Sequence, residues 1–454
     1  MGPSFNEQFH RLGKWRHAVA AQLSEFGQWL QAQQLQDAAV QNLLQRWDRS
    51  LRNDKVGMAF VSEFSRGKSE LINAVFFAHY GQRIMPAAPG RTTMCTTELG
   101  YDPNVPPCLR LLSVETRAQP YSVAEWRSMA STWVQLPLDV SDPQQLAQSI
   151  AHVAQVRKVS VQEAKDLGFW SDAPGADNPS CDAQGLVEIP QWRHAIINMA
   201  HPLLEQGLII VDTPGLNAVG TEPELTVNLI AQAQAVLFLL AANEGVTAQD
   251  VSVWQSHLQP CQRSSDAQLV VLNKVDALRE MVAGEAALQT QVARLQAESA
   301  QALDVDAARV IAVSARDGWD AKLAGDQEKL RRSGLPQLED ALAQRILAHH
   351  QRALQSVVNG GWTQLQAQLV KTLEVRRSAW QVQLDELQSL HSNGGDTARA
   401  ISVLQQRLAQ ERLELEAGNV QIATLRNEHL RLMHQAFQHF GVTSLRKEMD
   451  QLAK

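Results

Sequence analysis

The sequence predicts an α/β domain whose sheet is mixed but mainly parallel, with helices on both faces. Helical segments from the N- and C-terminal parts of the chain flank it as a neck or stalk bundle. Three observations carry this prediction. Short apolar runs recur between residues 56 and 315, each ending in a polar or glycine-bearing loop, as buried parallel strands do. Before Lys55 and after Gln351 the apolar residues instead follow three-and-four spacing, the period of an amphipathic helix. A length of 454 residues suggests two or three domains. The predicted boundaries are 1–52 for N-terminal helices, 53–350 for the α/β domain with an insertion at about 115–190, and 351–454 for a long antiparallel helical hairpin.

Composition narrows the function classes. Hydrophobic residues make up 44% and charged residues 20%, enough for a packed core. The net charge of −7, with no Lys/Arg-rich tract, argues against nucleic acid as a partner, because neutralising phosphates takes clustered cations. The four cysteines form no Cys-x-x-Cys pair and none sits with His at metal spacing, so neither zinc nor a disulfide framework is indicated. Free thiols fit a reducing cytosol. The opening residues hold no apolar signal region, and no run of about 18 apolar residues occurs. Any membrane contact is expected to be peripheral.

Residues 4–52 read as one long helix or as a hairpin broken near Gln33-Gln34, with Leu12, Trp15, Val19, Leu23, Phe26 and Leu30 on one stripe. Such helices either pack on their own domain or join a bundle with the C-terminal helices. Residues 56–61 then form an apolar run, followed by Ser62-Glu63-Phe64-Ser65-Arg66-Gly67-Lys68-Ser69 and the helix-like stretch from Glu70. This is a phosphate-binding loop with Ser62 in place of the first glycine. Its backbone N–H groups, from Glu63 to Glu70, would converge on an anion at a helix N-terminus. Lys68 would reach the β- and γ-phosphates, and the Ser69 hydroxyl would ligate Mg²⁺. Ser62 is expected to weaken binding if the loop needs a positive φ there, so Ser62→Gly is expected to leave nucleotide affinity equal or tighter.

Residues 86–99 begin with Pro and Gly and continue rich in Thr. A Thr-bearing segment after a phosphate loop is where nucleoside triphosphatases close a switch on Mg²⁺; Thr93 is the first choice and Thr92 the second. Within the insertion, residues 121–133 and 142–158 read as helix and 172–184 as loop. Leu208-Ile209-Ile210-Val211-Asp212-Thr213-Pro214-Gly215 is a buried strand ending in Asp-x-x-Gly. Asp212 would hold Mg²⁺ through water and the Gly215 N–H would sense the γ-phosphate. Residues 235–241 make a further strand.

Leu269-Val270-Val271-Leu272-Asn273-Lys274-Val275-Asp276 is the most specific signal. A carboxylate at Asp276 can accept from both the N1–H and N2–H₂ of guanine, a donor pair that adenine lacks, and sites built on such bonds discriminate strongly. Asn273 would brace neighbouring loops and the Lys274 stem would cover the base. The run 310–315 ends in Ser314-Ala315, where a backbone N–H can meet the guanine O6. Together these motifs predict a P-loop GTPase domain using GTP/GDP and Mg²⁺. Residues 318–334 read as polar linker and 336–349 as a closing helix. Val358, Trp362, Leu365, Leu369, Leu373, Trp380, Leu384 and Leu387 form a stripe on one long helix. A Gly394-Gly395 turn and a heptad-like run from Ile401 to Leu432 complete the hairpin.

The loop E-F-S-R-G-K-S-E-L-I-N-A-V, the switch G-R-T-T-M-C-T-T-E-L, V-D-T-P-G-L and L-N-K-V-D resemble the dynamin superfamily of large GTPases, and within it bacterial dynamin-like proteins with a mitofusin-like switch. The resemblance is motif-specific over about residues 52–350 and architectural over the flanking helices. It implies catalytic roles for Ser65, Lys68 and Thr93, with Thr93 positioning the attacking water. It implies metal ligation by Ser69, Thr93 and Asp212. It further implies GTPase domains that dimerise across the nucleotide, coupling of hydrolysis to membrane remodelling, and a cytoplasmic protein with a peripheral contact at the inner face of the membrane. Leu216 stands where Ras-like enzymes carry Gln, a lack the family shares. Glu70 departs from the family's usual Ser or Thr and is expected to set negative charge near the phosphates. Lys454 comes before the length a full stalk and returning helix usually take. A GTP-regulated protein-interaction switch with slow or no turnover is the alternative function. A ribosome- or RNA-associated GTPase fits the acidic balance poorly.

Overall fold

The computed structural model describes residues 5–52, 54–87, 95–173, 178–215, 229–259, 268–282, 284–392 and 401–410. The chain divides into two units, Met1–Gln366 and Ala367–Lys454. Eleven described strands occur in the first. In chain order they are β1 (Val56–Ser62), β2 (Thr96–Gly100), β3 (Cys108–Ser113), β4 (Trp133–Pro137), β5 (Val156–Ser160) and β6 (Leu186–Pro190). There follow β7 (Trp192–Asn198), β8 (Leu208–Asp212), β9 (Ala235–Ala241), β10 (Gln268–Asn273) and β11 (Val310–Ala312). Nine of them form one sheet in the order β11-β10-β9-β1-β8-β2-β7-β3-β4, and β5 and β6 pair separately.

The five strands from β11 to β8 are mutually parallel. β2 runs antiparallel to β8 and parallel to β7, while β3 and β4 continue antiparallel. The parallel strands are apolar at almost every position because both faces are covered. On β1, Met58 and Phe60 enter a core that includes Phe5, Phe9 and Phe76. Ala59 and Val61 enter the opposite core with Val211, Phe238 and Trp254.

The N-terminal segment is a hairpin of α1 (Phe5–Ala32) and α2 (Ala38–Arg52). Gln34 takes a left-handed φ of 56° between them, and the Asp37 carboxylate caps α2 by accepting from the Val40 N–H at 2.8 Å. This hairpin packs in both of the ways open to it. Phe5, Phe9 and Leu12 join the sheet core. Further along, the Phe26 ring lies 5.5 Å from that of Trp362. A Cβ on Gly361 would come within 2.9 Å of the Trp47 indole, so that glycine permits a close approach of helices.

Several local readings are corrected. The stretch 121–133 holds the short α-helix Val123–Arg127 and the 3-10 helix Ala130–Thr132, and β4 begins at Trp133. Residues 142–158 are α-helix over Pro143–Ile150 and 3-10 helix over Ala151–Ala154, then enter β5. Residues 318–334 are not a linker: Ala315–Ala324 and Gln327–Arg332 are helices, and Trp319 is fully buried. A long helix, Ala348–Ser392, follows. Over the second unit its Val370, Leu373, Val375, Trp380, Leu384 and Leu387 are exposed. The 401–410 segment is helical, and Arg407 donates to Glu386 at 3.2 Å. The Gly394-Gly395 turn and the heptad-like run beyond 410 lie outside the described residues. Among the described residues no helix is long and apolar enough to cross a membrane.

Candidate functional site

Parallel strands end on the same edge of a sheet, and loops there converge. At the carboxyl edge, β1 delivers the phosphate loop, β8 delivers Asp212 and Gly215, and β10 delivers Asn273 to Asp276. β11 delivers Ser314 and Ala315. Register brings the first two together, with Phe60 of β1 opposite Asp212 of β8. Sequence-distant motifs thus meet on one surface.

The loop itself turns on two left-handed residues, Ser65 (φ 60°) and Gly67 (φ 85°). Alternation of this kind points successive N–H groups into one concavity. At Gly67 a side chain is excluded twice over, by φ and because its Cβ would lie 2.5 Å from Asn273 Nδ2. Lys68 and Ser69 open the following helical turn, Lys68–Ile72, and both are buried. Burial pushes the Lys68 ammonium below its ordinary pKa, while the carboxylates of Asp212 and Glu63 pull it back. The Ser69 hydroxyl donates to Asp212 Oδ2 at 3.3 Å. A hydroxyl and a carboxylate this close form a hard oxygen pair that suits Mg²⁺, an ion that takes one or two protein ligands beside phosphate oxygens. Among the described residues no cluster of three or more His, Cys, Asp or Glu offers a metal site made of protein alone. Gly215 lies against the loop: a Cβ there would meet the Phe64 ring at 3.0 Å.

Asn273 ties the site together. Its Nδ2 donates to the Arg66 carbonyl at 3.0 Å, and its Oδ1 accepts from the Ala315 N–H at 3.1 Å. One buried amide therefore links the phosphate loop, the end of β10 and the Ser-Ala turn. Lys274 takes a left-handed φ of 65° at the start of the helix Val275–Met281. Asp276 Oδ1 accepts from the Ser314 hydroxyl at 2.7 Å, which fixes the carboxylate's rotation. Ser314 Oγ accepts in turn from the Asp317 N–H at 3.0 Å and caps the helix Ala315–Ala324.

Residues 58–275 match the model of the dynamin family, a span that runs from β1 through the phosphate loop into the Asn-Lys-x-Asp motif. The domain belongs to the dynamin family. Residues 195–387 also match the elongation factor Tu GTP-binding domain model. Two solved structures of an oligomerised bacterial dynamin pair, described as a mechanism for long-range sensing and tethering of membranes, share this fold. Each is 16% identical to the chain; the TM-scores are 0.53 and 0.50, with 90% and 89% of this chain covered. The chain spans about half of their length, 53% in each case. The LeoA bacterial dynamin GTPase from ETEC is 15% identical, with 91% of this chain and 57% of that one covered, at a TM-score of 0.40. Among curated proteins none matches this sequence. Residues 58–275 thus form a dynamin-family GTPase domain, and a helical segment lies C-terminal to it.

Two departures of this dynamin-family loop look different in three dimensions. Ser62 completes β1 in strand pairing with Leu239 and is absent from the left-handed positions, so it carries no strain of the anticipated kind. Glu70 forms a two-pronged pair with Arg83, at 2.7 and 2.6 Å, and the Arg83 guanidinium also sits over the Trp319 ring. The Glu70 carboxylate raises the Arg83 pKa by hydrogen bonding, and its negative charge is spent there rather than on a phosphate. Glu70→Gln is expected to leave GTP affinity within about twofold, in keeping with the small worth of a half-exposed pair. A tenfold gain in a nucleotide titration would mean that Glu70 does repel phosphate.

Motif reading missed three partners. The two terminal nitrogens of Arg66 are bonded to Glu244 and Asp250 rather than left free for an anion. Arg83 is the counter-ion of Glu70. Asn73 Oδ1 accepts from the N–H groups of Ile84 and Met85, both at 2.9 Å, and anchors the chain entering the Thr-rich segment. No local signal marks these contacts, since each depends on chain brought back by the fold. Thr92, Thr93 and Leu216 lie outside the described residues.

Proposed function

We propose that the chain binds GTP with Mg²⁺ and hydrolyses it to GDP and phosphate. The observation that supports this most is the Asn273 amide, bonded at once to the phosphate loop and the Ser-Ala turn. On this reading it holds the phosphate loop beside the turn that carries Asp276, the proposed guanine reader. In the reaction, loop N–H groups and the Lys68 ammonium would hold the β- and γ-phosphates. Their fixed charge would offset the charge gathering on the transferred phosphoryl oxygens. Ser69 and Asp212 would hold Mg²⁺, which supplies further charge neutralisation when bound. Ser65 is exposed at the left-handed turn of the loop, the place from which a side chain can approach the γ-phosphate or a facing domain. Thr93 is assigned to the attacking water on family resemblance alone.

Turnover is further proposed to rise when GTPase domains meet across the nucleotide, and to drive membrane remodelling. The apolar side chains exposed between Val370 and Leu387 would serve self-association or a peripheral membrane contact. A slow interaction switch rested on Ser62 and Glu70, and the positions of both weaken that case. The test is phosphate release from GTP as protein concentration is raised. Specific activity should climb with concentration, and Lys68→Ala should lower kcat/KM at least about 100-fold, as loss of one transition-state cation does. A rate unchanged by Lys68→Ala would sink the hydrolase reading. A flat concentration dependence would remove the dimer coupling alone.

A further inference from the structure

The residue that breaks the phosphate-loop pattern is also bonded to the loop's lysine. Lys68 Nζ donates to Ser62 Oγ at 2.9 Å, with both residues buried. Ser62 Oγ in turn donates its own proton to the Glu63 carbonyl at 2.6 Å. That second bond decides the polarity of the first. With its hydrogen committed to a backbone oxygen, the hydroxyl offers only lone pairs to the ammonium. A glycine at this position, as the motif prescribes, could make neither bond.

We infer that Ser62 is a positioning residue for Lys68: its hydroxyl accepts a hydrogen bond from one of the three ammonium N–H groups and so aims the other two at the β- and γ-phosphates of a bound nucleotide. The inference rests on the proposed GTPase reading and deepens it. The physical basis is entropy and geometry. A free lysine terminus has many rotamers, and ordering it on binding costs free energy. Here the terminus is ordered in advance by a group inside the loop. Among the described residues, the charges of Asp212, Glu63 and Arg66 act on the ammonium. Of these, Arg66 is tied off by Glu244 and Asp250. Ser62 is a neutral partner beside these charges: it holds the ammonium without cancelling the positive charge that a phosphate would meet.

The sign of the expected effect is opposite to what the motif suggests. Restoring the consensus glycine should harm the site, not repair it. The experiment compares wild type, Ser62→Gly, Ser62→Thr and Lys68→Ala. Each is assayed for binding of fluorescently labelled GTP, for kcat and KM of phosphate release, and for thermal unfolding. Ser62→Gly should weaken GTP binding several-fold and lower kcat/KM about tenfold, about 1.4 kcal/mol, with more of the loss in kcat than in KM. Ser62→Thr, which keeps the hydroxyl and suits a strand end, should stay within about twofold of wild type. The rescue by threonine separates positioning from a general packing role, and an unchanged unfolding midpoint for Ser62→Gly excludes misfolding. Should Ser62→Gly unfold early, Ser62→Ala takes its place with the same expected losses. Wild-type binding and turnover in Ser62→Gly, beside a crippled Lys68→Ala, would overturn this inference and leave the GTPase reading standing. Failure of wild type to bind GTP, or a Lys68→Ala that matches it, would overturn the GTPase reading and this inference with it.

Discussion

Asp276→Asn should turn a guanine reader into a xanthine reader. The Ser314 hydroxyl holds Asp276 Oδ1 at 2.7 Å and can donate equally to an amide oxygen. In the variant that bond keeps the carbonyl on Ser314 and swings the new NH₂ toward the base. Guanine presents its N2–H₂ there, so donor would face donor, and a buried donor without an acceptor costs about 1–3 kcal/mol on top of the two lost charge-assisted bonds. Xanthine carries a carbonyl at the same position and would accept from the amide. Sites that lose a matched polar partner typically discriminate by about 10⁴. The expected result is a fall in GTP affinity of at least about 10³ and a gain for xanthosine triphosphate, with ATP unaffected. Competition of GTP, xanthosine triphosphate and ATP against fluorescent GDP measures it. A variant that still prefers GTP over xanthosine triphosphate would remove Asp276 from the base contact.

Arg66→Met should damage stability and nucleotide binding together. The guanidinium is 5% exposed and meets Glu244 and the fully buried Asp250, the latter at 3.2 Å. Asp250 also accepts from the Thr247 hydroxyl and N–H, at 2.7 and 3.0 Å, in the capping box that starts the helix Ala248–Val253. Removal of Arg66 leaves a carboxylate buried with neutral partners only. Breaking one side of such a pair costs about 3–5 kcal/mol, whereas replacing both sides is often close to neutral. Denaturant unfolding should therefore show a loss of that size for Arg66→Met and recovery of much of it in Arg66→Met/Asp250→Asn. The loop would be loosened as well, because the Arg66 backbone is the point at which Asn273 grips it. A single variant as stable as wild type would show that the ion pair adds nothing.

Both predictions need contacts that the motifs do not contain. Asp276 is legible as the proposed base reader because its logic is local: a strand, a turn and four consecutive residues. The same holds for Lys68 and Ser69, for the Asp212 strand and for Ser314-Ala315. Each motif also sits at the end of an apolar run, so the parallel sheet and its active edge could be read together. The insertion was less legible. Its segments are short and half exposed, and 142–158 divides between a helix and β5, because pairing with β6 rather than local propensity decides the strand.

What the sequence by itself determined is the set of motifs at the sheet edge: the Ser62–Ser69 loop, an Asp-x-x-Gly strand, an Asn-Lys-x-Asp turn and helices on either side. These follow from contiguous residues whose spacing is fixed by backbone geometry. Tertiary structure alone decided how that chemistry is held. Arg66 finds Glu244 and Asp250 across 178 and 184 residues, and Asn273 finds Arg66 across 207. Ser62 gained its meaning in the same way. As a letter it was a flaw, expected to strain the loop. Pairing of β1 between β8 and β9 keeps it extended, and the folded loop brings the Lys68 ammonium onto its hydroxyl. A dihedral angle fixed by neighbouring strands, and a hydrogen bond fixed by a folded loop, are both properties of the closed fold rather than of the chain's order.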